Sequence, residues 1–216
     1  MSFLYEPRPF PQSSKQRGIE DILDKARPDR DYYLLLVGAG VLAVGAIMTD
    51  SIPVLIASMI VAPLSAPIIA LSLGVTAGNW RIMLRSILLL FISTAITLLI
   101  AVTAAIVLKN DRIPDILISF NGNRTIAVIV AFASGVIAAY GVVRPKVSSA
   151  FVGIAIAVSL MPPLVATGIG LAPGGTPFDG ALSLYLLNIV GITIACTITF
   201  LILGLGKVAR TKFRKE

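Results

Sequence analysis

Two apolar stretches of the chain contain closely spaced prolines: Val61-Ala62-Pro63-Leu64-Ser65-Ala66-Pro67 and Leu160-Met161-Pro162-Pro163-Leu164. Proline lacks a backbone N–H, and its ring clashes with the carbonyl one helical turn back, so both stretches predict breaks in helical segments. The residue before a proline also avoids the helical region, which strengthens the prediction at Pro162-Pro163. We therefore expect discontinuous helices at two places.

The chain has six long runs without charged side chains, and two of these runs contain the prolines. They cover residues 32–49, 51–80, 86–108, 125–143, 147–178 and 180–206. A helix of about 20 apolar residues spans the hydrocarbon core of a bilayer, so each run is long enough to cross. Charged residues make up only 13% of the chain, about half of their usual share in soluble domains. The predicted fold is an all-α polytopic membrane protein.

The two proline stretches belong to a sequence repeat with an offset of 100 residues. Nine positions carry the same residue as the position 100 residues later, among them Pro63/Pro163 and Gly74/Gly174. The first members of these pairs are positions 56, 57, 63, 64, 66, 69, 71, 74 and 76. Each unit would hold three spans, so the second unit would enter the membrane from the opposite side. Inverted repeats with broken helices recur in secondary transporters. We predict six transmembrane helices as two inverted three-helix repeats, at 32–108 and 125–206.

Lysines and arginines near the span ends predict the orientation of the chain. With six spans, 15 of the 18 basic residues fall on the side of the termini, and only Lys109, Arg112 and Arg124 fall on the other. Four spans with two re-entrant hairpins give 14 against 4, so charge alone does not separate the two topologies. Both predict cytoplasmic N- and C-termini in a multi-pass protein of the cell inner (plasma) membrane.

The two ends of the chain differ in composition from the apolar runs. Residues 1–31 form a predicted cytoplasmic segment, in which 16–27 has the pattern of a short amphipathic helix at the membrane surface or under the bundle. Residues 207–216 form a basic tail, which we expect at the anionic cytoplasmic leaflet.

Polar side chains near the predicted breaks are the candidate substrate contacts. Asn188 is the most informative, since a buried amide needs partners for both its oxygen and its nitrogen. The full set of candidate binding residues is Ser58, Pro63, Ser65, Pro67, Ser159, Pro162, Pro163, Thr167 and Asn188. Asp50 and Asp179, at the predicted outer ends of segments, are interpreted as gate residues or solvated caps.

Several classes of function are disfavoured. The chain has no histidine, and Cys196 is its only cysteine; no Walker loop, zinc pair or catalytic dyad is present. We therefore expect no catalysis, no cofactor and no metal. The basic residues flank apolar runs, which is a topology signal and not the pattern of a nucleic-acid binder. No charged residue lies deep in a predicted span, which favours an uncharged or zwitterionic solute.

The sequence resembles the membrane domain known as domain-of-unknown-function family 389. The resemblance rests on the proline motifs, on Gly78-Asn79-Trp80-Arg81, on Arg144-Pro145-Lys146-Val147-Ser148 and on Asn188, and it extends over residues 32–206. It implies a polytopic membrane protein without an established substrate. Members often carry a soluble cytoplasmic domain before the spans, where this chain has about thirty residues.

The leading hypothesis is a transporter or permease for a small polar solute, bound between the prolines of the second and fifth spans. The alternatives are an oligomeric ion or solute channel and a non-transporting membrane scaffold or assembly subunit. Exposed carbonyls could coordinate a coupling cation, although nothing in the sequence requires one. The expected partners are the lipid bilayer, the solute and further copies of the chain in a homo-oligomer.

Overall fold

The computed structural model describes residues 11–108, 124–144, 149–172 and 179–213. All regular secondary structure in these residues is α-helix, with turns and short loops between the helices. In chain order the helices are α1 (Gln12–Lys25), α2 (Arg30–Met48), α3 (Ile52–Val61), α4 (Ser65–Ala77), α5 (Trp80–Leu108), α6 (Arg124–Val142), α7 (Ser149–Leu171), α8 (Asp179–Ile202) and α9 (Leu205–Phe213).

Five of these helices, α2, α5, α6, α7 and α8, are long and apolar enough to cross a membrane. The pair α3 and α4 meets the same criterion when it is taken together, with a bend of 47° at the short break between its halves. The described residues thus contain five candidate spans, or six if the bent pair is one span. This confirms the prediction of an all-α membrane protein.

The predicted break at Pro63 is present between α3 and α4. Ala62 leaves the helical region with φ −63° and ψ 122°, as expected for a residue before proline. Pro67 does not interrupt the segment as predicted, because it lies in the first turn of α4. The N–H groups of a first turn have no partner inside the helix, so a proline is tolerated there.

The predicted break at Pro162-Pro163 is wrong, because α7 continues through both prolines from Ser149 to Leu171. A proline at 163 cannot donate to the carbonyl of Ser159 four residues earlier. That carbonyl instead accepts a hydrogen bond from the Asn188 side chain on α8. A partner from another helix thus replaces the missing bond, as is common for prolines in membrane helices.

The two terminal helices pack together at one end of the bundle. Lys212 of α9 forms an ion pair with Glu20 of α1 at 2.8 Å, and the Arg210 guanidinium donates to the Ala77 carbonyl at the end of α4. At Gly18 of α1, an added Cβ would lie 2.7 Å from the Val142 carbonyl oxygen at the end of α6. We call this the terminal end of the bundle. Since α3 follows the far end of α2, the pair α3–α4 runs from the far end to the terminal end.

Helix α7 lies at the centre of the bundle. Among its 18 most apolar consecutive residues 78% are buried, against 28–44% for the same length of the other four long helices. It contacts α2, α3, α4, α5, α6 and α8. Residues on α7 and on the helix faces turned towards it are therefore the ones furthest from lipid.

Candidate functional site between α7 and α8

The polar centre of the bundle is a contact between Asn188 on α8 and Ser159 on α7. The Asn188 Nδ2 atom donates to the Ser159 carbonyl oxygen at 2.5 Å. Both residues are buried, with 4% of Asn188 and 8% of Ser159 exposed. The hydrogen bond fixes the direction of the amide group, because only its nitrogen can donate to a carbonyl.

Two polar atoms at this contact have no hydrogen-bond partner among the described residues: Asn188 Oδ1 and Ser159 Oγ. A buried polar atom without a partner costs about 1–3 kcal/mol, so most such atoms in proteins are paired with protein or water. The amide oxygen can accept one or two hydrogen bonds, and the hydroxyl can both donate and accept. Together they offer a donor and acceptors to a polar group in an otherwise apolar interior.

Ser58 and Thr167, two other predicted contacts, bond within their own helices. Ser58 Oγ donates to the Leu55 carbonyl at 2.6 Å, and Thr167 Oγ1 donates to the Pro163 carbonyl at 2.7 Å. Both residues are buried. Such bonds to the preceding turn are common for hydroxyls in helices. These two hydroxyls are therefore less available for a ligand than that of Ser159.

Ser65 lies beside α7, at the start of α4 just after the break. A Cβ added at Gly153 of α7 would be 3.2 Å from Ser65 Oγ, so the absence of a side chain at Gly153 allows this close approach. Gly153 and Ser159 are six residues apart, which is about 9 Å along a helix. The structure thus does not place Ser65 at the Asn188–Ser159 contact, but one to two helical turns nearer the terminal end.

A cavity of about 390 Å³ opens beside Ser65. It lies between α1, the start of α4, the end of α6 and the start of α7, and Val152 and Gly153 form part of its wall. Its rim carries Arg17, Asp21, Lys25 and Arg144. The cavity extends from the polar terminal end of the bundle to Ser65 and Ala66, the first residues of α4 after the break.

The predicted gate residues lie outside this region. Asp50 lies in the turn between α2 and α3 with φ 51°, a left-handed conformation that aspartate tolerates better than most residues. Asp179 is the first residue of α8, and its side chain lies outside the described part of the structure. The prediction that these residues act as gates stays a prediction.

Two hydroxyls that are not among the predicted contacts belong to Thr193 and Thr197 of α8. Their Oγ1 atoms are also buried without a partner among the described residues. They lie 100 residues after Ser93 and Thr97 of α5, which donate to carbonyls of their own helix. Extension of the predicted repeat by the same offset of 100 residues would have found them.

Metal ligation is not supported in the part of the chain that the structure describes. No three His, Cys, Asp or Glu side chains lie close enough together there to hold a metal ion. The polar groups at the centre are an amide, hydroxyls and carbonyls.

Comparison with known proteins places the chain in a family. The profile of the family described as "Domain of unknown function (DUF389)" matches residues 59–194, which is more than half of the chain. The chain belongs to the DUF389 family. The matched region of this DUF389 chain contains the break after α3 and both partners of the Asn188–Ser159 contact.

A relative is known from the archaeon Methanocaldococcus jannaschii, the uncharacterised protein MJ0678. It is 31% identical to this DUF389 chain over 189 residues, which cover 85% of this chain and 57% of the relative. The DUF389 chain thus spans a little over half of the relative's length. No solved structure matches it.

Proposed function

We propose that this DUF389 protein moves a small polar solute across the membrane, and that the solute binds at Asn188 and Ser159. The observation that carries the proposal is the pair of buried, unpartnered atoms Asn188 Oδ1 and Ser159 Oγ. Ser159 lies on α7, the most buried of the five long helices, and Asn188 lies on α8, which packs against it. A bound polar solute would satisfy both atoms.

The break between α3 and α4 supplies the route. It is the single bend of more than 40° found between paired apolar helices in the described residues, and the cavity extends from the terminal end to Ser65, the first residue of α4 after the break. Irregular backbone at membrane depth is tolerated where protein buries it or where it lines a wet cavity. The cavity is the vestibule of this route, and the Asn188–Ser159 contact lies further along α7.

The helix contacts support six spans in two inverted repeats. If α3–α4 is one span, the units are α2, α3–α4 and α5, and α6, α7 and α8. The second span of each unit then packs against the third span of the other, as α4 with α8 and α7 with α5. Such reciprocal packing is expected when two repeats are related by a twofold axis in the membrane plane.

The chemistry of the centre favours an uncharged or zwitterionic solute without an enzymatic step. An amide oxygen and a hydroxyl provide hydrogen bonds but no net charge, and an isolated charge would be costly at this depth. The distribution of lysine and arginine supports a cytoplasmic location for the terminal end, with the protein in the inner membrane of the cell. The solute therefore exchanges between the cytoplasmic vestibule and the far side.

Liposome swelling tests this proposal. The purified chain is reconstituted, and the vesicles are exposed to gradients of glycerol, urea, erythritol, glycine and proline while light scattering is recorded. At least one solute should enter protein-containing vesicles faster than protein-free ones. Ser159→Ala should slow that entry about 2- to 13-fold, the range that corresponds to one lost hydrogen bond of about 0.5–1.5 kcal/mol.

The matched control is Thr199→Val, which removes another buried hydroxyl of the bundle. Thr199 Oγ1 bonds the Ala195 carbonyl of its own helix, so its loss should leave entry of the solute unchanged. Equal slowing by both variants would contradict a site at Ser159. Absence of entry for all five solutes would contradict solute transport and favour the scaffold alternative, whereas discrete current steps in planar bilayers would favour a channel.

A further inference from the structure

A second groove lies at the terminal end, away from the cavity at Ser65. It has a volume of about 650 Å³ and lies between the end of α1, the start of α5 and Phe213 of α9. Three arginines line it, Arg27, Arg81 and Arg85, and its described lining contains no acidic side chain. A groove with this composition attracts anions.

For two of these arginines, the described part of the chain contains no ion-paired carboxylate. Arg81 and Arg85 are one turn apart on α5, and neither forms an ion pair within the described residues. Arg27 faces Asp24 at 3.6 Å, with more than three quarters of both side chains exposed, an arrangement that contributes little. Arginine presents a planar set of donors that matches the oxygens of a phosphate group.

The other half of the groove is apolar and follows α5 towards the middle of the membrane. Leu88, Leu89 and Ile92 line it, and Leu88 is 57% exposed. From Arg81 to Ile92 the helix rises about 16 Å, close to half of the hydrocarbon thickness of about 30 Å. The groove thus has the length of one leaflet, with its charges at the interface.

We propose that this groove binds an anionic phospholipid. The phosphate group lies against Arg81 and Arg85, and one acyl chain follows Leu88 to Ile92. A free phosphate ion would use the arginines but would leave the apolar wall uncovered, whereas a lipid matches both halves. Basic pockets between helices at the cytoplasmic membrane surface have the chemistry to hold such headgroups.

Trp80 offers a direct measurement. It is the only tryptophan of the chain, it precedes Arg81, and it is 66% exposed. The full chain is reconstituted in vesicles of phosphatidylcholine and phosphatidylglycerol, in which one lipid or the other carries brominated acyl chains. Brominated phosphatidylglycerol should quench Trp80 fluorescence with an apparent affinity at least about 5-fold higher than that of brominated phosphatidylcholine. This factor corresponds to a binding free energy of about 1 kcal/mol per basic residue near the membrane surface.

Arg81→Gln with Arg85→Gln should abolish this preference. The matched control, Arg17→Gln with Lys207→Gln, removes the same charge from α1 and α9 outside the groove and should retain it. Unchanged quenching by brominated phosphatidylcholine shows that Trp80 still lies in the membrane of a folded variant, and Arg85→Gln alone serves if the double variant does not fold.

Three results would overturn the proposal: equal quenching by the two lipids in the unmodified chain, equal loss in both double variants, or removal of the preference by millimolar inorganic phosphate. The last result would assign the arginines to a soluble anion. Solute entry into liposomes is a separate measurement, so failure of the lipid site leaves the transport proposal unaffected.

Discussion

Pro63 and Pro163 lie at the same position of the two sequence repeats, yet the helix stops at the first and continues through the second. At Pro63 the chain leaves the helix for three residues and bends by 47° before α4 begins. At Pro162-Pro163 helix α7 continues without interruption over 23 residues. Proline content alone therefore does not decide where a membrane helix breaks.

The surroundings of the two prolines differ in two ways. On α7 the carbonyl that Pro163 leaves without a donor receives one from Asn188, and neighbouring helices surround the segment. On α3 one face is open to the lipid, with Ile52, Ile56 and Ile60 at least half exposed. A proline can remain helical where another helix supplies the missing donor and where packing opposes the kink.

The first prediction tests the contribution of packing to the continuous helix α7. A Cβ at Gly168 would overlap the Ala101 side chain and would lie 3.2 Å from the Leu98 carbonyl oxygen on α5. Gly168→Ala should lower the free energy of unfolding by about 2–3 kcal/mol, in the upper range for overpacking, because neither neighbour can rotate away. Unfolding by titration with a denaturing detergent, followed by circular dichroism, measures this change.

Gly38→Ala on α2 is the control for that variant. An added Cβ at Gly38 meets no atom within 4 Å, so the change should be neutral or should stabilise the helix by up to about 1 kcal/mol. Equal effects of the two substitutions would mean that contact with α5 does not hold α7 in place.

The second prediction removes the donor that replaces the missing backbone bond. Asn188→Leu leaves the Ser159 carbonyl buried without its side-chain donor, and should cost about 1–2 kcal/mol of unfolding free energy. Pro163→Ala restores a backbone N–H at that position. In the Pro163→Ala background, Asn188→Leu should therefore cost less than half as much.

A double-mutant cycle measures this coupling. Additive effects of the two substitutions would contradict the view that the Asn188 amide stands in for the N–H that Pro163 lacks. In that case the continuity of α7 would rest on packing alone.

Much of the fold was predictable from local features of the sequence. The uncharged runs identify the candidate spans because hydrocarbon excludes charge, and the helical break at Pro63 follows from local backbone sterics. The continuity at Pro162-Pro163 was not predictable in this way. It depends on Asn188, which is 25 residues after Pro163 in the chain. The packing of α8 against α7 brings the Asn188 amide to the Ser159 carbonyl.

The candidate site was predictable in part for the same reason. Composition selects Asn188 and Ser159 as buried polar residues, and the structure brings them together. It also assigns Ser58 and Thr167 to bonds within their own helices, which residue type alone does not reveal. Whether a hydroxyl faces its own helix or a neighbour is set by its rotamer and by the packing of the neighbouring helix.

The third prediction concerns the shape of the two proline segments. Spin labels at positions 56 and 75 report the length of α3–α4, and labels at 158 and 171 report that of α7; all four side chains are at least 41% exposed. Pro63→Ala removes the restriction on Ala62 and should lengthen the first distance by about 2 Å as the bend decreases. Pro163→Ala should leave the second distance unchanged.

Pulsed electron–electron double resonance in a Cys196→Ala background measures both distances. An unchanged α3–α4 distance would show that packing, and not Pro63, imposes the bend. A longer α7 distance after Pro163→Ala would show that α7 is already distorted at its prolines, and the contrast between the two segments would then be one of degree.

The smallest predicted loss of stability is that of Ser159→Ala. The Ser159 hydroxyl has no hydrogen-bond partner among the described residues, while the Ser159 carbonyl keeps its bond to Asn188 in the variant. Its replacement by a hydrogen should therefore leave the free energy of unfolding unchanged or raise it by up to about 1–3 kcal/mol, whereas Asn188→Leu should lower it. A large loss of stability would show that the hydroxyl is satisfied within the folded protein and is not held for a ligand. An unchanged or higher stability together with slowed solute entry is the combination that a binding group, and not a structural one, produces.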